Sequence, residues 1–229
     1  MNRPELLAPA GNWEALAAVI AAGADAVYLG GKRLNMRQWR SDLNFSDSQL
    51  KEALDFAHRQ GVKVYITVNN LYFEDELDEL ADHLEFLESI GADALIVQDL
   101  AVVQLAQEMG LTRPLHASVQ VGLSNAEELE LFKSLGFSRA IVSKDLSIEQ
   151  IWGLSLKSDL ELECFVHGDL CAAQTGQCLL SSLVFGESSN RGRCMKPCRW
   201  RYQAFAWPEN SSRNNLTPAG SYLLACKDL

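Results

Sequence analysis

Four cysteines lie within 28 residues of the sequence, close enough together to hold a metal centre. They are Cys171, Cys178, Cys194 and Cys198, separated by six, fifteen and three residues. Structural zinc sites usually pair ligands roughly two to four residues apart, which suits the last pair but not the first. Iron–sulfur clusters accept looser spacing, with four thiolates each binding one iron of a 4Fe–4S cube. The spacing therefore predicts a 4Fe–4S cluster, with zinc as the alternative.

The residues around these cysteines also favour a metal. Thiolates crowded at low dielectric repel one another, and a cation or cluster offsets that repulsion. Gly176 and Gly192 would let the backbone bend close to sulfur. Four nearby cations would offset residual negative charge: Arg191, Arg193, Lys196 and Arg199. The alternative is that the four cysteines are packed as small hydrophobes, the role we assign to Cys164 and Cys226.

Length, composition and charge indicate one globular, cytoplasmic domain. The chain has 229 residues, 48% hydrophobic and 22% charged, with a net charge of -10. The N-terminus lacks a signal-peptide pattern, and no run approaches the ~18 apolar residues of a membrane span. Thiols in the cytoplasm stay reduced, so six cysteines favour metal or redox chemistry over disulfides. The charge is unevenly distributed, with eight acids in residues 74–88 and five cations in residues 191–201.

The elements that would position the cysteines follow a repeating pattern. Amphipathic helix patterns end near Gly23, Gly61, Gly91, Gly110 and Gly136, and a short apolar run follows each. Seven strands are predicted in all: ELLAPAG, VYLGG, VKVYITVN, DALIVQD, LHASVQ, RAIVSKD and LELECFVHG. Because these runs are apolar almost throughout, both faces should be covered, as in a parallel sheet flanked by helices.

Two architectures fit repeated parallel units, a barrel and a doubly wound sheet. The fingerprint G-x-G-x-x-G that would support the doubly wound sheet is absent after the first strand. We therefore predict an α/β fold of the TIM-like (β/α) barrel class. An eighth strand is not evident before Leu229, so the barrel should be incomplete, with about seven strands. The cysteine-rich segment follows the seventh.

Polar residues just after the strands are candidates for chemistry, since barrel enzymes work at the C-terminal ends of their strands. These residues are Asn12, Arg37, Asn69, Asp99, Gln120, Lys144, Asp145 and His167. For each of them, capping a helix or bridging strands is the alternative role.

Several long stretches are similar to one known family. They are ELLAPAGNWEAL, AGADAVYLGG, NMRQWRSDLNF, VKVYITVNN, HASVQVGLSN, FVHGDLCAAQTGQCLLSS, NRGRCMKPCRWRY and LLACKDL. Together they resemble the peptidase U32 family, the collagenase-like protease group, over essentially the whole chain. The resemblance implies a barrel fold and, through the four matching cysteines, an iron–sulfur centre.

The resemblance implies more than one chemistry. The family name implies proteolysis, which is a hydrolase activity. Other relatives are associated with oxygen-independent hydroxylation of the tRNA wobble uridine, for which prephenate is a co-substrate. Further relatives are associated with hydroxylation of ribosomal RNA and with ring hydroxylation in ubiquinone synthesis.

The chain's own residues favour hydroxylation. The sequence contains neither the zinc-protease pattern H-E-x-x-H nor the serine-hydrolase pattern G-x-S-x-G. A cysteine or serine nucleophile paired with His167 stays open, because such partners meet in space rather than along the chain. Four clustered cysteines near one histidine suit an electron-carrying cofactor better than a single nucleophile.

The basic segment points to RNA. Residues 191–202 interleave five cations with Trp200 and Tyr202, a mixture that contacts phosphates and stacks on unpaired bases. The same cations could instead only neutralise a cluster. We predict an iron–sulfur-dependent, oxygen-independent hydroxylase of RNA, with the tRNA wobble uridine and a prephenate-type co-substrate as expected reactants. The alternatives are a U32 collagenase-like peptidase and a non-catalytic partner subunit carrying a cluster or zinc.

Site roles follow from residue type and position. Cys171, Cys178, Cys194 and Cys198 are the predicted cluster ligands. His167 is assigned to acid–base chemistry or substrate contact, because histidine titrates near neutrality. The other predicted catalytic residues are Arg37, Lys144 and Asp145. The predicted substrate-binding residues are Asn69, Gln120, Arg191, Arg199 and Trp200.

The sequence departs from the family pattern at two places. Lys144 and Asp145 stand where the family commonly has an Arg-Glu pair. The signs of the two charges are kept, but lysine lacks the guanidinium that can bind one partner through two parallel hydrogen bonds. The family also continues past KDL into another strand. We therefore divide the chain into barrel units (1–163), the seventh strand with the cysteine-rich segment (164–203), and a truncated C-terminal extension (204–229). A second U32-type subunit or a homo-oligomer would supply a missing strand.

Overall fold

The computed structural model describes residues 3–203 and 221–225 and contains a parallel sheet with helices between its strands. The strands are β1 (Leu7–Pro9), β2 (Ala26–Gly30), β3 (Lys63–Val68), β4 (Ala94–Val97), β5 (Leu115–Ala117), β6 (Phe137–Ile141) and β7 (Glu161–Glu163). Every neighbouring pair is parallel, and the order across the sheet follows the order in the chain. The seven predicted strands are confirmed.

The helices begin and end at the residue types that the sequence indicated. They are α1 (Trp13–Ala21), α2 (Asp47–His58), α3 (Leu77–Ser89), α4 (Leu100–Glu108), α5 (Ala126–Ser134), α6 (Ile148–Ser155) and α7 (Leu180–Phe185). The glycines that follow α1 to α5 all have positive φ: Gly23, Gly61, Gly91, Gly110 and Gly136. Asn12 and Asp99, two of the polar residues predicted near the strand ends, cap α1 and α4.

The two faces of the sheet are covered differently. The outer face packs against the helices through residues such as Val27, Val64 and Leu95, which belong to the main hydrophobic core. The inner face carries a smaller apolar cluster, made of Ala26, Tyr65, Ala94, Ile96, Val119 and Ile141. Both faces are therefore buried, as the apolar strands predicted.

An ion pair across the inner face shows how far the sheet curves. Arg139 lies on β6, yet its Nη1 atom is 2.9 Å from Oε1 of Glu5, two residues before β1. Among the described residues, β1 and β7 stand at opposite edges of the sheet and do not pair. The sheet is thus a barrel left open between these strands, which confirms the predicted incomplete barrel.

The seventh strand is shorter than predicted. It ends at Glu163 because β6, its pairing partner, ends at Ile141 opposite that residue. Cys164 therefore follows the strand rather than lying in it, and His167 lies four residues beyond its end. The C-terminal extension falls largely outside the described residues, as does Cys226. In the part of the chain that the structure describes, every helix is too short or too polar to cross a bilayer.

Candidate active site

The cysteine-rich segment, residues 164–203, packs across the C-terminal ends of the strands. Lys144, which follows β6, donates from Nζ to the carbonyl oxygen of Asp169 at 3.0 Å. The backbone at Gly176 lies so close to the carbonyl of Gln120, after β5, that a Cβ atom would overlap it. A Cβ atom at Gly192 would lie 2.6 Å from the carbonyl oxygen of Asn35, after β2. The segment therefore covers the mouth of the barrel, where chemistry is expected.

Replacing Gly176 by alanine should loosen this segment from the barrel. The φ of +82° at Gly176 strains any side chain, and the new methyl would overlap Gln120. We expect amide exchange in the segment to become about tenfold faster, as mass spectrometry of exchanged peptides would show. Gly186→Ala is the matched control, because Gly186 has φ of +70° with nothing within 4 Å of a Cβ atom. Equal exchange in the two variants would contradict close packing at Gly176.

Two of the four cysteines, Cys171 and Cys194, act electrostatically on a third, Cys198. Burial, and then the charges of Cys194 and Cys171, raise the pKa of the Cys198 thiol, against a hydrogen bond from the backbone of Ala172. Cys178 is anchored by its carbonyl oxygen, which accepts from Ser189 Oγ at 2.7 Å. Within residues 3–203 and 221–225, no three Cys, His, Asp or Glu side chains are grouped as metal ligands. The ligand roles of these cysteines therefore stay a prediction.

A backbone donor contacts one cysteine sulfur, and two cations are held within the same segment. The backbone N–H of Lys196 donates to Cys194 Sγ at 3.4 Å, and Lys196 itself holds a left-handed φ of 51°. Its Nζ donates to Asp169 Oδ2 at 2.9 Å. Arg199 Nη2 donates to the carbonyl oxygen of Leu170 at 2.8 Å. One N–H group is thus directed at a predicted ligand, and Arg199 lies within electrostatic reach of the Cys198 thiol.

Arg191, a predicted substrate-binding residue, fastens the segment to the barrel. Its guanidinium makes a bidentate ion pair with Glu76, at 2.7 and 2.9 Å, and donates to the carbonyl oxygen of Leu71 at 2.7 Å. It also lies 3.7 Å from the ring centroid of Phe73. These contacts place Glu76, from the acidic run of residues 74–88, in a tertiary ion pair.

The remaining predicted residues occupy several positions around the mouth. Asn69 Oδ1 accepts from the backbone of Met36 at 3.1 Å, and Asp145 Oδ2 accepts from Ser143 Oγ at 3.1 Å. Trp200 packs on Phe185 with ring centroids 5.1 Å apart. Arg37 and His167 are exposed.

A charged cluster on the inner face was missed by the sequence analysis. Arg139 is buried on β6 and pairs with Glu5 at 2.9 Å, Glu161 at 3.0 Å and Glu163 at 3.4 Å. Tyr65 donates from its hydroxyl to Glu5 at 2.8 Å. The ring of His116 meets that of Tyr65 edge-on, with centroids 4.7 Å apart. The cluster joins β3, β5, β6 and β7 to the chain before β1.

Burial moves the pKa values of this cluster in different directions. Burial raises the pKa of Glu163 to about 7, against the lowering effect of Arg139. Burial, and then the charge of Arg139, lower the pKa of His116 to about 3. Burial alone would raise the pKa of Glu5, but hydrogen bonds from Lys63, Tyr65 and Arg139 outweigh it and lower that pKa to about 2. Glu163 is thus the carboxyl that titrates near neutral pH.

Glu163→Gln should change how stability depends on pH. The folded pKa of about 7 exceeds the ordinary 4.5, so the folded state binds the proton more tightly and stability falls as pH rises between these values. Glutamine removes that fall, so the variant should gain about 3 kcal/mol relative to wild type between pH 4.5 and pH 8. Urea unfolding across this range measures it, with Glu85→Gln on the exposed surface of α3 as control. A pH-independent difference would contradict the raised pKa.

Tyr28, on β2, is influenced by one charge of this cluster and by one charge near the mouth. Burial raises the pKa of this phenol, Arg37 lowers it and Glu163 raises it, so both charges lie within electrostatic reach of one hydroxyl. Two amide oxygens near the strand ends, Asn70 Oδ1 and Gln98 Oε1, are buried without a hydrogen-bond partner among the described residues. Both were missed from sequence, and both have acceptor capacity for a ligand or water.

Curated relatives match nearly the whole chain. An uncharacterized protease of Methanocaldococcus jannaschii is 40% identical over 98% of this chain and 55% of its own length. The tRNA hydroxylation protein P1 of Bacillus subtilis is 35% identical over 89% of this chain and 48% of its own length. The chain thus spans about half the length of these relatives.

A solved structure and a family model agree with the resemblance. The structure of a U32 peptidase superposes with a TM-score of 0.59 at 15% identity, over 73% of this chain and 70% of that one. At that identity it supports the barrel fold alone. The model of peptidase family U32 matches residues 11–229. Because that match covers nearly the whole sequence, the chain belongs to peptidase family U32.

Proposed function

We propose that this chain acts as an iron–sulfur-dependent hydroxylase of RNA, or as part of one, with the tRNA wobble uridine as substrate. The observation that carries the proposal is the cysteine-rich segment packed over the barrel mouth, with basic residues beside it. The tRNA hydroxylation name of the Bacillus subtilis relative supports the choice of RNA. A U32 peptidase is the second candidate, supported by the name of the Methanocaldococcus jannaschii relative.

The residues at the mouth fit an iron–sulfur cluster by their chemistry. Cys171, Cys178, Cys194 and Cys198 would supply four thiolates. Cys194 and Cys171 both lie within electrostatic reach of the Cys198 thiol. N–H groups directed at sulfur, such as that of Lys196, stabilise thiolate charge and tune reduction potential. When bound, the cluster would supply electron transfer, which hydroxylation requires and peptide hydrolysis does not.

The chain's other residues would bind and orient the reactants. An unpaired nucleotide from an RNA loop can enter a barrel mouth without melting a duplex. Lys144, held over Phe165 at 4.4 Å from the ring centroid, would face an anionic co-substrate. Glu163 has a pKa of about 7, so its carboxyl could exchange a proton within the barrel near neutral pH. His167 would contact the substrate from the exposed surface of the segment.

Nucleoside analysis tests the proposal. We expect tRNA from a strain of the source organism lacking this gene to be without a hydroxylated uridine that returns when the chain is restored. Mass spectrometry of separated tRNA and ribosomal RNA nucleosides would identify the RNA class. If a hydroxylated nucleoside is missing only from ribosomal RNA, the substrate is ribosomal RNA rather than tRNA. Unchanged nucleosides in both fractions, with gelatin digestion by purified protein that is lost in His167→Ala, would favour the peptidase instead.

A further inference from the structure

Two basic segments that are distant in sequence meet beside the barrel mouth. Residues 31–40, after β2, and residues 191–201, in the cysteine-rich segment, hold nine of the chain's 20 lysines and arginines and no acid. Gln38 Nε2 donates to the carbonyl oxygen of Arg191 at 3.0 Å. The backbone N–H of Trp39 donates to the carbonyl oxygen of Gly192 at 3.4 Å. In a chain of net charge -10, such a concentration of cations favours an anionic partner.

Exposed aromatic rings flank the turn at which these segments meet. Trp39 is 52% exposed, and the guanidinium carbon of Arg193 lies 5.1 Å from its ring centroid. Phe73 is 60% exposed and carries Arg191 on one face at 3.7 Å. An arginine on one side holds each ring in place and leaves much of the ring open to solvent. Open rings beside cations are the surface on which unpaired bases stack.

Some of the cations remain available for phosphate. Arg193 pairs with Glu187 at 3.2 Å, Arg40 pairs with Asp42 at 2.7 Å, and Arg33 pairs with Glu79. Lys32 and Arg37 are exposed, and among the described residues their side chains make no hydrogen bond or ion pair. Phosphate contacts by such side chains supply affinity without sequence preference.

We propose that Trp39 and Phe73 form a base-stacking platform for single-stranded RNA at the barrel mouth, with Lys32 and Arg37 contacting its phosphates. This inference rests on the proposed RNA substrate and adds the surface that would hold the nucleotides flanking the target. Trp39 is the principal residue, because its backbone is fixed to Gly192 while its ring is exposed. A duplex would bind less well, because its bases are already stacked.

Fluorescence anisotropy of a labelled RNA hairpin with an unpaired loop, titrated with the full chain, tests this platform. Trp39→Ala should weaken binding about tenfold, and Trp39→Phe should weaken it less, because stacking on an aromatic ring is retained. Trp152→Ala is the matched control, since Trp152 is 62% exposed on α6 and should leave affinity unchanged. Arg37→Gln should lower the slope of log affinity against log salt by about one.

The outcomes separate this inference from the proposed function. If wild type binds the hairpin and Trp39→Ala binds it equally well, the platform is refuted while the RNA substrate survives. If Trp39→Ala and Trp152→Ala weaken binding equally, the effect is non-specific and the platform is likewise refuted. If wild type binds no RNA and restores no hydroxylated nucleoside, both proposals fail. Thermal unfolding of each variant confirms that the fold is intact.

Discussion

Cys198→Ser should abolish the RNA hydroxylation that the wild-type chain restores in a strain lacking the gene. Cys198 is the predicted ligand whose thiol lies within electrostatic reach of both Cys194 and Cys171, so a serine there removes one of the four predicted sulfur ligands from that group. A cube held by four thiolates loses stability and changes potential when one ligand becomes a hydroxyl. Mass spectrometry of nucleosides should show the hydroxylated product at the level of the deletion strain.

Cys164→Ser is the matched control for that loss. Cys164 follows β7 directly and is half-buried, and it is not one of the four predicted ligands. The variant should restore the hydroxylated nucleoside to the wild-type level, with immunoblotting to confirm equal amounts of each protein. Full activity of Cys198→Ser, or equal loss in both variants, would count against the predicted ligand set.

Arg139→Met should lower the free energy of unfolding by about 3 to 5 kcal/mol at pH 8, because a buried pair is broken by removing one partner. Arg139 has a 6% exposed side chain and faces Glu5 and Glu163, whose side chains are 19% and 17% exposed. Methionine leaves these carboxylates without their main counter-charge. The loss should be smaller at pH 5, where Glu163 is protonated and needs less compensation.

Urea unfolding of wild type and variant at both pH values measures the effect. Arg40→Met is the control, since Arg40 pairs with Asp42 on the exposed surface and should leave unfolding unchanged. A small, pH-independent loss in Arg139→Met would mean that packing alone, and not the ion cluster, holds β6 and β7 to the chain before β1.

Local patterns explain why most of the fold was predictable. The strand β4 is apolar on both faces, and positive-φ glycines such as Gly61 mark the ends of helices. These signals act over a few residues and do not depend on distant contacts. The shorter β7 was harder to predict, because its length is set by β6, which ends at Ile141.

The arrangement around the mouth depends on distant pairs and was therefore not predictable. Arg191 and Glu76 are 115 residues apart in sequence, so the basic segment was interpreted as substrate-binding rather than as a fastening to the barrel. The contact between the Arg193 guanidinium and the Trp39 ring was not predicted for the same reason.

The inner charged cluster did leave a signal in the sequence. Glu161 and Glu163 alternate in β7, which places both carboxylates on one face of the strand opposite Arg139 of β6. That alternation contradicts the expectation of strands apolar throughout, and it was overlooked within the run LELECFVHG. Glu5 lies far from both in sequence. It reaches the cluster only because the sheet curves, so its contact with Arg139 was not predicted.

Iron and acid-labile sulfide in the wild-type chain, purified without air, are the most direct test of the cluster. About four irons and four sulfides per chain, with a broad visible absorbance, are expected if the four cysteines hold a cube. A colourless protein with one tightly bound zinc, or with no metal after reconstitution with iron and sulfide, would contradict iron–sulfur chemistry at this mouth.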